Sequence, residues 1–359
     1  MRVAHIEAGK HAFGGAAQVR YLVDGLAAAR VDNVLICDRG GALAECRAQA
    51  DVLPLPMHGD LDFGLVGRLR RTLRALKPDV VHVHSRRGAE LFGGRACEQL
   101  AVPAVVTRRV DSRDGAVWTR LKYRPYRAVI AISRAIEAQL ERSGVEHARI
   151  HRIPSAVDSE RYRPDQEARA RLLAAFGLPD DALIVAVVAQ LIERKGHACL
   201  FAELPELVRA YPTLNVLCFG RGPLEHKLRA HVARARLERH VHFAGFRDDV
   251  PQLLPGVDVL AHPASREGLG VALLEALSCG VPIVACSVGG VVDVVEDGVH
   301  GRLVAAGNGR ELREALAALL EDGTARSRLG AAGRAHVQRN FTIASMIAAH
   351  LKVYADAAV

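Results

Sequence analysis

The 359-residue sequence predicts an α/β fold of two doubly wound, Rossmann-like domains facing a central cleft. Three observations carry that reading. The chain is too long for one comfortable core and long enough for two. Short apolar, β-rich runs alternate with amphipathic helical patterns, as a parallel sheet covered on both faces requires. The alternation is interrupted once, by the polar, proline-marked stretch "RIHRIPSAVDSERYRPD", and then restarts. The expected domains are residues 1–163 and 164–336, and a cleft outside the carboxyl ends of two such sheets is where ligands bind.

In the first half, "RVAHIEA" reads as a strand, followed by the glycine loop "GKHAFGG" and a helix over 16–30. "NVLICD" is the next strand and 64–76 the next helix. There Leu65, Leu69, Leu73 and Leu76 share one face, and Arg70, Arg71, Arg74 and Lys77 lie largely elsewhere. "DVVHVHS", "AELFGGRACEQL" and "PAVVTR" read as strand, helix and strand, and "AVIAISRAIEAQLERSG" joins a strand to a helix. In the second half, "LIVAVVAQ", "NVLCFG", "VHFAG", "VDVLAHP" and "IVAC" are strands. Helices are expected near 197–210, 224–237, 249–256, 309–321, 325–336 and 341–357.

Composition narrows the class. Half of the residues are apolar and a quarter charged, which describes a globular chain. The longest apolar run, "ALIVAVVAQLI", is too short to span a bilayer, and "MRVAHIEAGK" lacks a signal-peptide core, so a cytoplasmic location is expected. The seven cysteines form no CxxC pair and read as reduced thiols. Residues 1–165 hold 27 Lys plus Arg against 19 Asp plus Glu, whereas the remainder is balanced, so the whole net charge of +8 belongs to the first half. The segment "TRRVDSRDGAVWTRLKYRPYR" mixes seven basic residues with Trp118, Tyr123 and Tyr126. It is read either as a solvated basic face or as a surface for anions: a membrane, a phosphorylated acceptor or, last in rank, nucleic acid.

The stretch "SREGLGVALLEALSCGVPIV" raises a specific question of chemistry. It reads as a loop, a helix from Val271 to Cys279, a stop at Gly280 and Pro282, and a strand. Glu267 precedes the helix and Glu275 lies on it among leucines, so the two carboxylates would flank a helix N-terminus that favours an anion. A phosphate at the helix end with sugar hydroxyls at the carboxylates would use every part. A surface Glu before an amphipathic helix is the alternative.

The ordered motifs "AQLIERKGH", "CFGRGPLEHKL", "VHFAGF", "DVLAHPASREGLGVALLEAL", "CGVPIVACSVGG" and "VVEDGVHGRLV" resemble the family-4 retaining glycosyltransferases of GT-B architecture. The resemblance implies that residues 337–359 form a helix crossing back to the first domain, which binds the acceptor, while the second binds a nucleoside-diphosphate sugar. It implies that Gly268, Leu269 and Gly270 offer amides to the donor diphosphate, that Glu267 contacts the transferred sugar, and that Glu275 contacts the ribose. Lys195 would place its ammonium on the diphosphate and support the leaving nucleotide. Gln190 stands where the family commonly has an Arg. Gly222 resembles the loop beside the nucleotide, and Phe246 would approach the base, although bare glycine turns explain "GRGP" equally. Gly14 and Gly15 would approach donor phosphates and acceptor. Arg109 occupies the place of the family's cleft His; an Arg is no base, but it can hold a phosphate or sugar oxygen. His82 and His84 share a strand face, His82 reading as a core residue and His84 as either core or cleft.

Metal chemistry fits poorly, because "DLD" precedes a helix away from the expected diphosphate and "HVH" has no convincing third ligand in the sequence. The expected reaction moves a hexose-type sugar from a UDP- or GDP-sugar to a glycan or lipid-linked acceptor, with retention and without metal or other cofactor. Cell-envelope polysaccharide or lipopolysaccharide synthesis, with the basic half at the inner membrane surface, is the expected setting. A nucleotide-sugar epimerase and a non-catalytic nucleotide-sugar-binding protein are the alternatives.

Overall fold

The computed structural model describes residues 1–10, 14–45, 48–84, 88–111 and 115–359, and the chain divides into two compact units. The middle of the loop "GKHAFGG", Cys46 and Arg113 lie outside the described residues. Unit one comprises Met1–Ala156 with Ile343–Val359, and unit two comprises Val157–Thr342.

Unit one holds a parallel seven-stranded sheet: β1 (Arg2–Glu7), β2 (Asp32–Asp38), β3 (Asp51–Leu55), β4 (Val80–Val83), β5 (Ala104–Arg108), β6 (Ala128–Ala131) and β7 (Ile150–Arg152). The order is β3-β2-β1-β4-β5-β6-β7. The direction of winding therefore reverses between β1 and β4, a topological switch point. The central strands are buried along almost their whole length, which explains their continuous apolar runs. β3 escapes the sequence reading because it is a largely uncovered edge strand containing Pro54, a residue tolerated only where no ladder partner is needed. β7 lies inside the stretch read as linker, so the first unit's sheet extends further than expected.

The helix Ile343–Ala358 belongs to unit one and packs against the helix Gly14–Ala28. Leu22, Leu26, Met346, Ile347, Val353 and Tyr354 share one core cluster with Val3, Val80 and Val105 of the sheet. The Tyr354 hydroxyl meets His82 Nδ1 at 2.6 Å, tying this helix to β4. The boundaries differ from those read in the sequence. The units part after Ala156, not after 163, and the second unit keeps the helix Gly323–Asn340, which runs past 336 and packs on Val271–Ser278.

The basic aromatic segment also differs. It contains a helix, Ala116–Tyr123, and much of it faces inward. Tyr123, Tyr126 and Lys122 are buried, Lys122 Nζ lies 3.2 Å from Glu90 Oε1, and Arg108 donates to the Tyr123 hydroxyl at 3.0 Å. Val117, Trp118 and Leu121 remain exposed beside exposed Arg120 and Arg124.

Unit two holds β8 (Leu183–Val188), β9 (Leu214–Phe219), β10 (Val241–Gly245), β11 (Val259–His262), β12 (Ile283–Cys286) and β13 (Gly301–Val304). They form a parallel sheet of order β10-β9-β8-β11-β12-β13, with its switch point between β8 and β11. The helix Ala168–Phe176 precedes β8 and was not apparent in the sequence.

Trp118 is the single tryptophan and lies in unit one, so its fluorescence reports that unit. Tyr354→Phe, which removes the buried bond to His82, is expected to destabilise unit one by about 1–2 kcal/mol. A urea midpoint unchanged from wild type would show that the bond contributes nothing.

Candidate active site

The switch point of unit two brings two loops together. One follows β8 and contains the turn Glu193–Lys195; the other follows β11 and runs into the helix Val271–Ser278. The Ser265 amide donates to Arg194 O at 2.9 Å and pins them. Gly196 has φ +73°, and a Cβ there would sit 1.8 Å from Pro263 O, so the approach of the two loops requires glycine.

That approach delivers Lys195 to Glu267. Lys195 Nζ donates to Glu267 Oε2, and His262 Nε2 donates to the same oxygen at 2.9 Å. The Gly268 amide lies 3.1 Å from Oε1. Burial raises the Glu267 pKa, but the His262 bond and the Lys195 charge overcome it and hold the carboxyl well below its usual range. Burial lowers the pKa of Lys195, with Glu267 partly offsetting it, and burial likewise lowers that of His262. His262 was not singled out in the sequence, because a His at a strand end reveals no partner until the loop folds back. His197 was also missed. It is buried, its two ring nitrogens have no hydrogen-bond partner, and burial followed by the His262 and Lys195 charges lowers its pKa to about 4.

Around this cluster, Gly268, Leu269 and Gly270 are buried and lead into the helix. The Gly268 amide is engaged by Glu267, whereas the Leu269 and Gly270 amides donate to no described residue. Glu275 lies apart from the Lys195–Glu267 pair. It takes a hydrogen bond from Tyr162, and burial raises its pKa to about 7 against the effects of Tyr162 and Arg161. Gln190 follows β8, and its carboxamide bonds no described residue. Gly222 is fixed by packing: a Cβ there would lie 2.4 Å from Leu191 O, which makes a structural reason sufficient for this glycine. Phe246 is exposed just beyond β10, two strands from β8 in the sheet.

In unit one, Gly14 and Gly15 open the helix Gly14–Ala28 and are exposed. A Cβ on Gly15 would lie 3.8 Å from Arg109 Cδ, so the structure brings Gly15 and Arg109 together. His84 follows β4, is 2% exposed, and its Nε2 lies 2.9 Å from His5 Nδ1. His5 supplies the third imidazole missing from "HVH": the ligand atoms of His5, His82 and His84 lie within 4.8 Å of one another. His82, however, already has Tyr354 at 2.6 Å and Thr107 at 2.7 Å, and the Arg109 charge bears on His82 and His84. A hydrogen-bonded core cluster fits these residues better than a cation site does.

Two family models match the chain: Glycosyl transferases group 1 over residues 169–336 and Glycosyltransferase Family 4 over residues 13–161. The chain is 32% identical over 306 residues to the D-inositol 3-phosphate glycosyltransferase of Xylanimonas cellulosilytica, covering 78% of this chain and 72% of that one. It is 33% identical over 215 residues to the GDP-mannose-dependent alpha-(1-6)-phosphatidylinositol monomannoside mannosyltransferase of Mycolicibacterium smegmatis. That match covers 57% of this chain and 56% of the relative, so the chain spans little more than half the length of that enzyme. The fold is similar to that of Anabaena HepE solved with UDP-glucose, at TM-score 0.88, 21% identity and coverage of 99% and 100% of the two chains.

The raised pKa of Glu275 has a defined consequence. Between the ordinary carboxyl value and about 7 the folded chain binds a proton that the unfolded chain has released, so this residue's contribution to stability is present at low pH and lost as pH rises through 7. Glu275→Gln is expected to flatten that part of the pH profile in denaturant titrations of unit two. A variant whose profile matches wild type between pH 5 and pH 8 would contradict the assignment.

Proposed function

Because the chain belongs to the family-4 glycosyltransferases of GT-B fold, we propose that it moves a hexose-type sugar from a nucleoside-diphosphate sugar to a hydroxyl of a glycan or lipid-linked acceptor. The observation that carries this reading is the Lys195–Glu267–His262 cluster beside open amides at a helix N-terminus, at the switch point of unit two. An ammonium and free amides suit a diphosphate, and a carboxylate held ionised suits sugar hydroxyls. The name of the M. smegmatis relative favours a GDP-sugar and the HepE complex favours a UDP-sugar, so both remain donors in the proposal.

In the proposed reaction the bond from the anomeric carbon to the donor phosphate oxygen breaks, and the acceptor oxygen bonds to that carbon with retention. The departing diphosphate takes the acceptor's proton. Lys195 and the Leu269 and Gly270 amides stabilise the charge leaving with the phosphate, Glu267 orients the sugar, and Glu275 meets the ribose. Gln190 adds a neutral amide donor, and Phe246 provides an exposed ring for the base. Gly14 and Gly15 leave room at the start of their helix. Arg109 and His84 belong to the acceptor half, and no metal is required.

A cytoplasmic location at the inner membrane surface, serving cell-envelope polysaccharide or lipopolysaccharide synthesis, is part of the proposal. It is supported by the basic first half and by Val117, Trp118 and Leu121 exposed beside Arg120 and Arg124. Among the described residues no helix is long and apolar enough to cross a membrane.

Calorimetric titration with UDP-, GDP- and ADP-sugars in the presence of chelator tests the donor reading. One donor should bind wild type, and Glu275→Ala should weaken it. Lys195→Ala should lower turnover by about 10²–10³-fold. No binding by any donor would favour a non-catalytic protein, and a new epimer without a glycoside would favour an epimerase. For the membrane part, the chain should sediment with anionic vesicles at low salt and do so less after Trp118→Ala with Leu121→Ala. Failure of wild type to sediment removes it.

A further inference from the structure

Arg109 makes no hydrogen bond or ion pair with any described residue, and its Nε is enclosed. Burial lowers its pKa to about 10, so it remains a cation at neutral pH. Glu7 balances this charge at range, but its Oε1 accepts the Gly9 amide at 2.7 Å and takes none of the Arg109 donors. A partly enclosed guanidinium with five donors in a fixed fork and no acceptor is costly to retain without a ligand.

The neighbouring histidines cannot supply that acceptor as an anion, yet they leave a second atom open. Asn33 donates its amide to Val31 O at 3.0 Å and Val23 O at 3.4 Å, which turns Oδ1 toward His5 Nε2 at 3.2 Å. His5 Nε2 is therefore the donor and Nδ1 the acceptor. His84 Nε2 then donates to His5 Nδ1 at 2.9 Å, so His84 Nδ1 carries a lone pair. That nitrogen is enclosed and has no partner. Gly14 and Gly15 place the N-terminus of a 15-residue helix beside Arg109, and the helix dipole adds to its attraction for an anion.

We propose that Arg109 and His84 form a substrate subsite for a hydroxylated oxyanion, the guanidinium fork taking a phosphate or carboxylate and His84 Nδ1 accepting the hydrogen of an adjacent hydroxyl. The enclosure of the two open atoms suits a single hydroxyl, which is small and can be desolvated. Only the identity of the ligand as a sugar or polyol rests on the glycosyl-transfer reading.

The full chain, without nucleotide, is titrated with inorganic phosphate, glucose 6-phosphate, glucuronate and methyl glucoside. Glucose 6-phosphate or glucuronate should bind about tenfold tighter than methyl glucoside, and Arg109→Gln should abolish that preference. The tighter of these two arms identifies phosphate or carboxylate as the source. Equal binding of methyl glucoside, or a preference that survives Arg109→Gln, overturns the subsite. Inorganic phosphate binding as tightly as glucose 6-phosphate overturns its hydroxyl half. A nitrogen-15 histidine spectrum of wild type needs no variant: His84 protonated on Nε2 supports the relay, and protonation on Nδ1 overturns it. Nucleotide-sugar titration of the same samples separates the two readings. Loss of the anion preference with nucleotide sugars still bound leaves glycosyl transfer standing, and the reverse outcome sinks glycosyl transfer and keeps the subsite.

Discussion

A carboxylate withdrawn from water must be answered by donors, and in unit two Glu267 is answered twice on one oxygen. His262 reaches it from the end of β11 and Lys195 from the turn after β8, so a single acid ties the two strands on either side of the switch point. Neither contact would form if Gly196 carried a side chain, because the turn that presents Lys195 passes against Pro263. The stabilities of the loops and of the charges are therefore one quantity. Removing Glu267 would leave an uncompensated ammonium, and removing Lys195 would leave a buried acid with only an imidazole donor. On the proposed reaction, the diphosphate competes with Glu267 for Lys195, and a lysine drawn toward phosphate releases carboxylate lone pairs for the sugar.

Charge departs from the family's pattern in opposite senses in the two units. At Gln190 a neutral amide stands where an Arg is common, and at Arg109 a permanent cation stands where a His is common. The histidines of unit one are consistent with the second change. His5, His82, His84 and His350 are all held neutral chiefly by burial, so the guanidinium is the one persistent positive charge among them.

The parallel sheets were legible in the sequence because strands covered on both faces have to be apolar throughout, and the helix after Gly270 was legible from its stop at Gly280 and Pro282. β3 and β7 were not, because an edge strand with Pro54 and a three-residue strand beside prolines carry no such pattern. The inward turn of Lys122, Tyr123 and Tyr126 was hidden for a related reason: a basic run looks solvated until its partners, Glu90 and Arg108, arrive from distant elements. Lys195 and Glu267 were readable as chemistry from their motifs. Their direct bond was not, since 72 residues separate them and nothing local encodes the approach at Gly196. The partners His262 and Asn33 act only through tertiary neighbours and left no trace in spacing.

The helix Ile343–Ala358 completes the core of unit one, and all of unit two is synthesised between Ala156 and that helix. On a translating ribosome the sheet of the first unit must wait, with the sheet face that receives Met346, Ile347 and Tyr354 uncovered, until the second unit has been made. The second unit has all its own strands before the last helix emerges, so it can fold while the first is still open. Nascent chains of this topology thus depend on synthesis speed and chaperone cover for the half that is translated first.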